Sequence, residues 1–64
     1  MIRVNGVERE RKDDTVAELV VSLGIETRGV AVARNGEVVS KSLWDVTVLR
    51  DGDALEIVTA AAGG

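Results

Sequence analysis

The absence of both cysteine and histidine from this 64-residue chain most limits how it can fold. Domains this short bury only ~60% of the surface that their unfolded chains expose. Many such domains therefore depend on disulfides or structural zinc. Because neither is available here, the fold must depend on apolar packing, and 45% of the residues are hydrophobic. We expect one globular domain with a single small core.

The same absences limit the chemistry of the chain. Cysteine nucleophiles, histidine bases and the commonest metal ligands are all missing, so we expect no enzyme, no catalytic residues, no metal site and no bound cofactor. Eight Lys plus Arg against eleven Asp plus Glu give a net charge of -3, which disfavours nucleic acid as a partner. No apolar run approaches the ~20 residues that span a bilayer, and no leader pattern opens the sequence. We expect a cytoplasmic protein without a membrane partner.

Two Asn-Gly pairs, Asn5-Gly6 and Asn35-Gly36, predict two β-hairpins. Such pairs favour the type I′ turn, which needs a positive φ at both central residues. In the last predicted strand, Leu55 and Ile57 share one face and Glu56 takes the other. Both faces of residues 30–33 are apolar, so which face is buried stays open. The predicted strands are residues 2–4, 7–11, 30–33, 37–39 and 54–59.

One helix is predicted from about Thr15 to Leu23. Thr15 and Glu18 have the spacing of a capping box, and Gly24 fits the left-handed position after a helix. Apolar residues then recur with helical spacing along one stripe. The order of elements predicts an α+β domain in which one helix covers a mixed sheet. The expected core includes Leu19, Leu23, Leu55 and Ile57.

Three other patterns have ordinary structural explanations. Asp51-Gly52-Asp53 is interpreted as a turn, because a calcium loop needs more oxygen ligands at set spacing. Glu8 and Glu10 are interpreted as a solvated face of an edge strand. Trp44, the sole aromatic residue, either closes the end of the core or anchors a partner.

The final residues, Ala-Ala-Ala-Gly-Gly, have no side chain that can pack strongly. We therefore predict a domain at residues 1–59 and a flexible tail at residues 60–64 that is mobile in the free protein. Five extended residues reach ~17 Å, and glycines pass through slots too narrow for other residues. The tail would place Ala62 and Gly63 in the partner's entrance and the carboxylate of Gly64 in its active site. A carboxylate must be activated before substitution, most simply as an acyl-adenylate, so an ATP-using partner is expected.

The whole chain resembles the ubiquitin-like β-grasp sulfur carriers, and most of all the thiamine-pathway, ThiS-like carriers. The matching residues run in order from Asn35-Gly36-Glu37-Val38-Val39 through Trp44, Leu49, Gly52-Asp53 and Glu56-Ile57-Val58 to Gly63-Gly64. The resemblance implies a β-grasp fold and a thiocarboxylate on Gly64. It also implies three partners: an ATP-dependent adenylyltransferase related to ubiquitin activators, a cysteine-desulfurase sulfur source, and thiazole synthase. Ala61-Ala62 departs from family members that have a third glycine or a bulky apolar residue there.

Three alternatives stay open at this point. A molybdopterin-synthase small subunit has the same fold and diglycine end, but usually a longer chain and a proline before the tail. A ubiquitin-like protein modifier would have more lysines than Lys12 and Lys41. A non-covalent β-grasp interaction domain would not need Gly64 to be terminal.

A docking surface is also expected, because a glycine arm alone gives little specificity. Val58 shares the parity of Glu56, so it should point away from the helix and form an apolar patch beside the tail. The expected surface contains Val58 at its centre with Val30 or Val32, Arg34 at its rim, and Trp44 as a further candidate.

Overall fold

Five strands form one mixed sheet in the computed structural model, which describes residues 1–59. The last strand lies in the middle, between two hairpins, in the order β2-β1-β5-β3-β4. It runs parallel to β1 and antiparallel to β3. The predicted α+β class is confirmed. The strands are β1 (Ile2–Val4), β2 (Val7–Arg9), β3 (Val30–Arg34), β4 (Glu37–Val39) and β5 (Ala54–Thr59).

Both Asn-Gly pairs form the predicted hairpin turns. The φ angles are 51° and 84° at Asn5 and Gly6, and 52° and 86° at Asn35 and Gly36. Positive φ at both central positions is the requirement of a type I′ turn. Strand β2 ends at Arg9, two residues earlier than predicted, because Arg9 already pairs with the first residue of β1.

Helix α1 (Val16–Ser22) lies where the capping pattern predicts it. The Glu18 amide donates to Thr15 Oγ1 over 3.2 Å, and Glu18 Oε1 accepts from the Asp14 amide over 2.8 Å. Gly24 follows the end of the helix with a φ of 72°, and its amide donates to the Val21 carbonyl. Within the described part of the chain, no helix is long and apolar enough to cross a membrane.

The core lies between α1 and one face of the sheet. Leu19, Leu55 and Ile57 are buried there as predicted. Leu23 is only half-buried, because it follows the last helical residue and packs at the margin of the core. The buried apolar residues are Ile2, Val4, Val16, Leu19, Val20, Val32, Trp44, Leu49, Leu55 and Ile57.

The long segment between β4 and β5 contains a 3-10 helix, Lys41–Val46, which was not predicted. After this helix the chain passes the start of α1. The Val16 amide donates to the Thr47 carbonyl over 3.0 Å, and the Leu49 amide donates to the Asp14 carbonyl over 2.8 Å. These bonds connect the irregular segment to the helix, and a turn at residues 51–52 then brings the chain into β5.

Candidate functional site

Strand β5 brings the chain from the centre of the sheet to the predicted tail. Its two edges are bonded to β1 and β3, and the pairing with β3 continues to Thr59, which lies opposite Val30. The predicted tail residues Ala62, Gly63 and Gly64, and with them the predicted mobility of residues 60–64, lie outside the described residues. The tail therefore begins directly after Thr59, the last residue of β5, and we call this end of the strand the base of the tail.

The sheet face opposite α1 contains an apolar surface beside this base, which we call the outer-face patch: Ala31, Ala33, Val38 and Val58. Val58 is 63% exposed and Val38 is 80% exposed. Register places Ala31 opposite Val58, and Ala33 opposite Val38. Side chains of directly opposed residues lie on the same face of a sheet. The expectation that Val58 points away from the helix is therefore confirmed.

Three residues expected beside Val58 lie on the other face of the sheet. Val32 is only 1% exposed and Val30 packs against the core, because strand alternation puts both on the face of α1. The Arg34 guanidinium donates to the Val48 carbonyl over 2.9 Å and lies 3.9 Å from the Asp53 carboxylate. The prediction that these three residues lie beside Val58 on the outer face was wrong, and Ala31, Ala33 and Val38 lie there instead.

Trp44 was considered both as core and as a partner anchor, and the structure supports the first. Its side chain is 4% exposed, and its Nε1 donates to the Val39 carbonyl over 3.0 Å. A buried indole with its polar atom satisfied closes the end of a core. Trp44 is therefore removed from the predicted docking surface.

A buried polar cluster at the start of β5 was not predicted. Asp53 accepts bonds from the Arg50 amide over 2.9 Å and from Asn35 Nδ2 over 3.0 Å. Burial alone would raise the pKa of Asp53. The Arg50 amide, the Asn35 carboxamide and the positive charge of Arg34 outweigh it and hold the pKa below the ordinary aspartate value of 3.8. This carboxylate fixes the turn that leads into β5.

A second polar contact near the end of β5 was also missed. The side chain of Asn5 forms two hydrogen bonds to the backbone of Ile57: its Oδ1 accepts from the Ile57 amide over 2.8 Å, and its Nδ2 donates to the Ile57 carbonyl over 3.1 Å. The sequence around Asn5 indicated only a turn. The contact was missed because its two partners are 52 residues apart. The contact secures β5 two residues before Thr59.

An open groove of about 630 Å³ lies on the other side of the tail base. Its apolar lining comes from the first hairpin, the end of the helical segment and β5. Thr59 is part of this lining, so the chain leaves β5 beside the groove. The residues concerned are Val4, Val7, Leu23, Ile25, Ile57 and Thr59.

Among residues 1–59 there is no cluster of three or more metal-ligating side chains. The Asp51-Gly52-Asp53 segment forms the expected turn. The described residues provide a central strand paired on both edges, with an apolar patch and a groove beside its last residue, Thr59.

Known proteins are similar to this chain over nearly its whole sequence. The model of the ThiS family matches residues 2–64. A protein named sulfur carrier protein ThiS from Thermus thermophilus is 36% identical over 64 residues, and one of the same name from Bacillus subtilis is 35% identical over 66 residues. Both alignments cover all of both chains.

A longer relative is also similar. A thiazole synthase from Paramagnetospirillum magneticum is 45% identical over 62 residues, but this chain spans only 19% of that protein. In a crystal structure of thiamine biosynthesis protein ThiS from Geobacter metallireducens, the fold matches with a TM-score of 0.79 and 33% identity. That match covers 98% of this chain and 97% of the other, which confirms the β-grasp fold. The chain belongs to the ThiS family.

Proposed function

We propose that this chain is a sulfur carrier of thiamine biosynthesis whose terminal residue, Gly64, is adenylated and then converted to a thiocarboxylate. The observation that carries the proposal is the family match over residues 2–64, which includes Gly63 and Gly64 as well as the folded domain. The structure supports it, because the strand before the tail is the central strand of the sheet and has bonded neighbours on both edges.

The proposed chemistry takes place on the carboxylate of Gly64. One carboxylate oxygen attacks the α-phosphate of ATP, and pyrophosphate leaves. The terminal sulfur of a persulfide then attacks the carbonyl carbon, and AMP leaves. A second thiol cleaves the new S–S bond, which gives a thiocarboxylate and a disulfide. Transfer of the sulfur to the forming thiazole breaks the C–S bond, and an oxygen from water or from the acceptor takes its place, which returns the carrier to its carboxylate.

The carrier is a substrate in each of these steps and not the catalyst. Its sequence has no cysteine or histidine to supply a nucleophile or base. ATP is therefore bound by an adenylyltransferase related to ubiquitin activators, and the persulfide comes from a cysteine desulfurase. The carrier needs no cofactor of its own, and a small domain that folds without disulfides fits a cytoplasmic location.

Thiazole synthase is the proposed acceptor. The support is that two proteins named thiazole synthase, from Paramagnetospirillum magneticum and Magnetococcus marinus, contain a stretch similar to this chain at 45% and 36% identity. This chain covers only a fifth of their length, so the acceptor site would belong to the remaining part of such a protein.

Recognition of the activating enzyme is assigned to the outer-face patch. Ala31, Ala33 and two exposed valines form an apolar surface on β3, β4 and β5, with Glu56 on the same face opposite Ala33. An exposed apolar patch of this kind marks an interaction surface more often than isolated exposed residues do. Its position beside Thr59 would let one partner hold the patch and receive the tail together.

The test is a reconstituted reaction with purified activating enzyme, ATP and a persulfide donor. Deleting Gly64 shortens the tail by ~3.3 Å, and misplacement by ~1 Å can cost ~10²-fold in rate. Adding one alanine after Gly64 removes the free carboxylate from its position. We expect both variants to lose pyrophosphate release and thiocarboxylate formation.

The control for both variants is the melting temperature, which should equal that of the unmodified chain. If the extended variant supports thiazole formation at the unmodified rate, the thiocarboxylate is not on Gly64. The proposed function would then be wrong.

A further inference from the structure

Strand β1 stops beside β5 before β5 ends. Their parallel pairing covers Arg3 opposite Ala54 and Val4 opposite Leu55, and the chain then turns back at Asn5 to form β2. The Asn5 amide makes one more bond, to the Leu55 carbonyl over 2.9 Å. Beyond this point the edge of β5 that faces β1 needs another source of hydrogen bonds.

The side chain of Asn5 is that source. Its carboxamide presents an acceptor at 2.8 Å to the Ile57 amide and a donor at 3.1 Å to the Ile57 carbonyl, as a further strand residue would. The turn makes this possible, because the positive φ of 51° redirects the backbone while the side chain stays beside β5. Asn5 thus extends the pairing of β5 by two residues, to within two residues of Thr59.

We infer that Asn5 is a positioning residue, which fixes the direction in which the chain leaves β5 toward Gly64. The inference rests on the proposed function, since a fixed direction matters only if the tail must enter a partner's active site. Both backbone polar groups of Ile57 bond to Asn5, and β3 pairs along the opposite edge of β5, so the strand is held on both edges at this position. Loss of Asn5 would free one edge close to the tail and leave the outer-face patch unchanged.

The molecule contains a matched control at the other end of the same strand. Asn35 occupies the equivalent turn with a φ of 52°. Its Oδ1 accepts from the Ala54 amide over 2.9 Å, and its own amide donates to the Ala54 carbonyl over 2.8 Å. Ala54 lies three residues before Ile57, or ~10 Å along the strand. Asn35→Gly therefore removes a similar side-chain contact at a similar turn, far from the tail, together with the Asn35 Nδ2 bond to Asp53.

The experiment compares Asn5→Gly with Asn35→Gly, since glycine keeps the positive φ in both turns. By NMR, exchange of the Ile57 amide should become about tenfold faster in Asn5→Gly, the effect of losing one hydrogen bond. In Asn35→Gly it should change by less than about threefold. Asn5→Asp keeps the acceptor for the Ile57 amide and loses the donor, so it should lie between Asn5→Gly and the unmodified chain.

The kinetic arm measures pyrophosphate release with the activating enzyme. Asn5→Gly should lower kcat about tenfold or more, because small displacements of a reacting group are costly, and should change KM less than about threefold, because the patch is intact. Equal kcat values for Asn5→Gly and Asn35→Gly, or an unchanged Ile57 exchange rate, would overturn the inference. If the unmodified chain releases no pyrophosphate, the proposed function fails, and the exchange rates still decide whether Asn5 holds β5.

Discussion

At the scale of single residues, local pattern predicts geometry and fails to predict distant partners. Thr15 and Glu18 cap α1 with the expected bond between them, and Asn5 and Asn35 adopt the expected positive φ. These outcomes depend on neighbours within four residues. The contacts of Asn5 to Ile57 and of Asn35 to Asp53 depend on which distant segments become adjacent in the fold, and local residue pattern does not specify this.

Asp53 provides a prediction at this scale. Its pKa is lower in the folded protein than the ordinary 3.8. The carboxylate therefore stabilises the fold at pH above that value, and this contribution is lost as the pH falls through the folded-state pKa. Asp53→Asn should be less stable than the unmodified chain at neutral pH, and the difference should narrow in acid.

Urea unfolding of both proteins at about pH 7 and about pH 2 measures this difference. Asp51→Asn serves as the control, since Asp51 is exposed and forms only surface ion pairs with the N-terminal amine and Arg11. A stability difference for Asp53→Asn that is the same at both pH values would show that its charge does not stabilise the fold.

At the scale of elements, the helix was easier to predict than the faces of the strands. The apolar residues of α1 lie on one stripe, which can only be the buried face, and Leu19 on this stripe is buried. Strand β3 is apolar on both faces, so its orientation depends on its register against β5. The register places Val32 with Ile57 in the core and Ala31 with Val58 outside. This explains why the predicted patch kept Val58 and lost Val30, Val32 and Arg34.

Leu19→Ala tests the packing of α1 on the sheet. Removing a buried leucine side chain should cost about 2–5 kcal/mol of unfolding free energy, a large part of the total for so small a domain. Val21 lies on the same helix and is exposed, so Val21→Ala should change the stability by less than about 0.5 kcal/mol. Chemical denaturation measures both. Similar midpoints for the two variants would contradict the assigned core face.

At the scale of the whole molecule, the order of elements was enough to predict a mixed sheet covered by one helix, and the match to the Geobacter metallireducens structure agrees with this fold. The central position of β5 between two hairpins was not predicted. The sequence pattern could not predict where the outer-face patch lies relative to the end of β5. That arrangement follows from the sheet order, which places the outer-face patch beside Thr59.

Docking through this patch predicts a specific loss of binding. Val58→Asp puts a charge in the apolar patch, next to Glu56 on the same face, and should weaken binding to the activating enzyme by at least about tenfold. Val21→Asp places the same charge on the exposed side of α1 and should leave the affinity unchanged. Calorimetric titration measures both, with thermal melts as the control for folding. Equal affinities of the Val58→Asp and Val21→Asp variants would show that the activating enzyme docks on another face.

The central claim is that sulfur is carried on the terminal carboxylate of Gly64. The most direct measurement is the intact mass of the protein isolated from its own cells, followed by the mass of its C-terminal fragment. We predict a species in which one oxygen is replaced by sulfur, with the change confined to Gly64 and absent when one residue is added after it. Protein that contains only the unmodified carboxylate while thiazole is being formed, or sulfur found elsewhere in the chain, would contradict the claim.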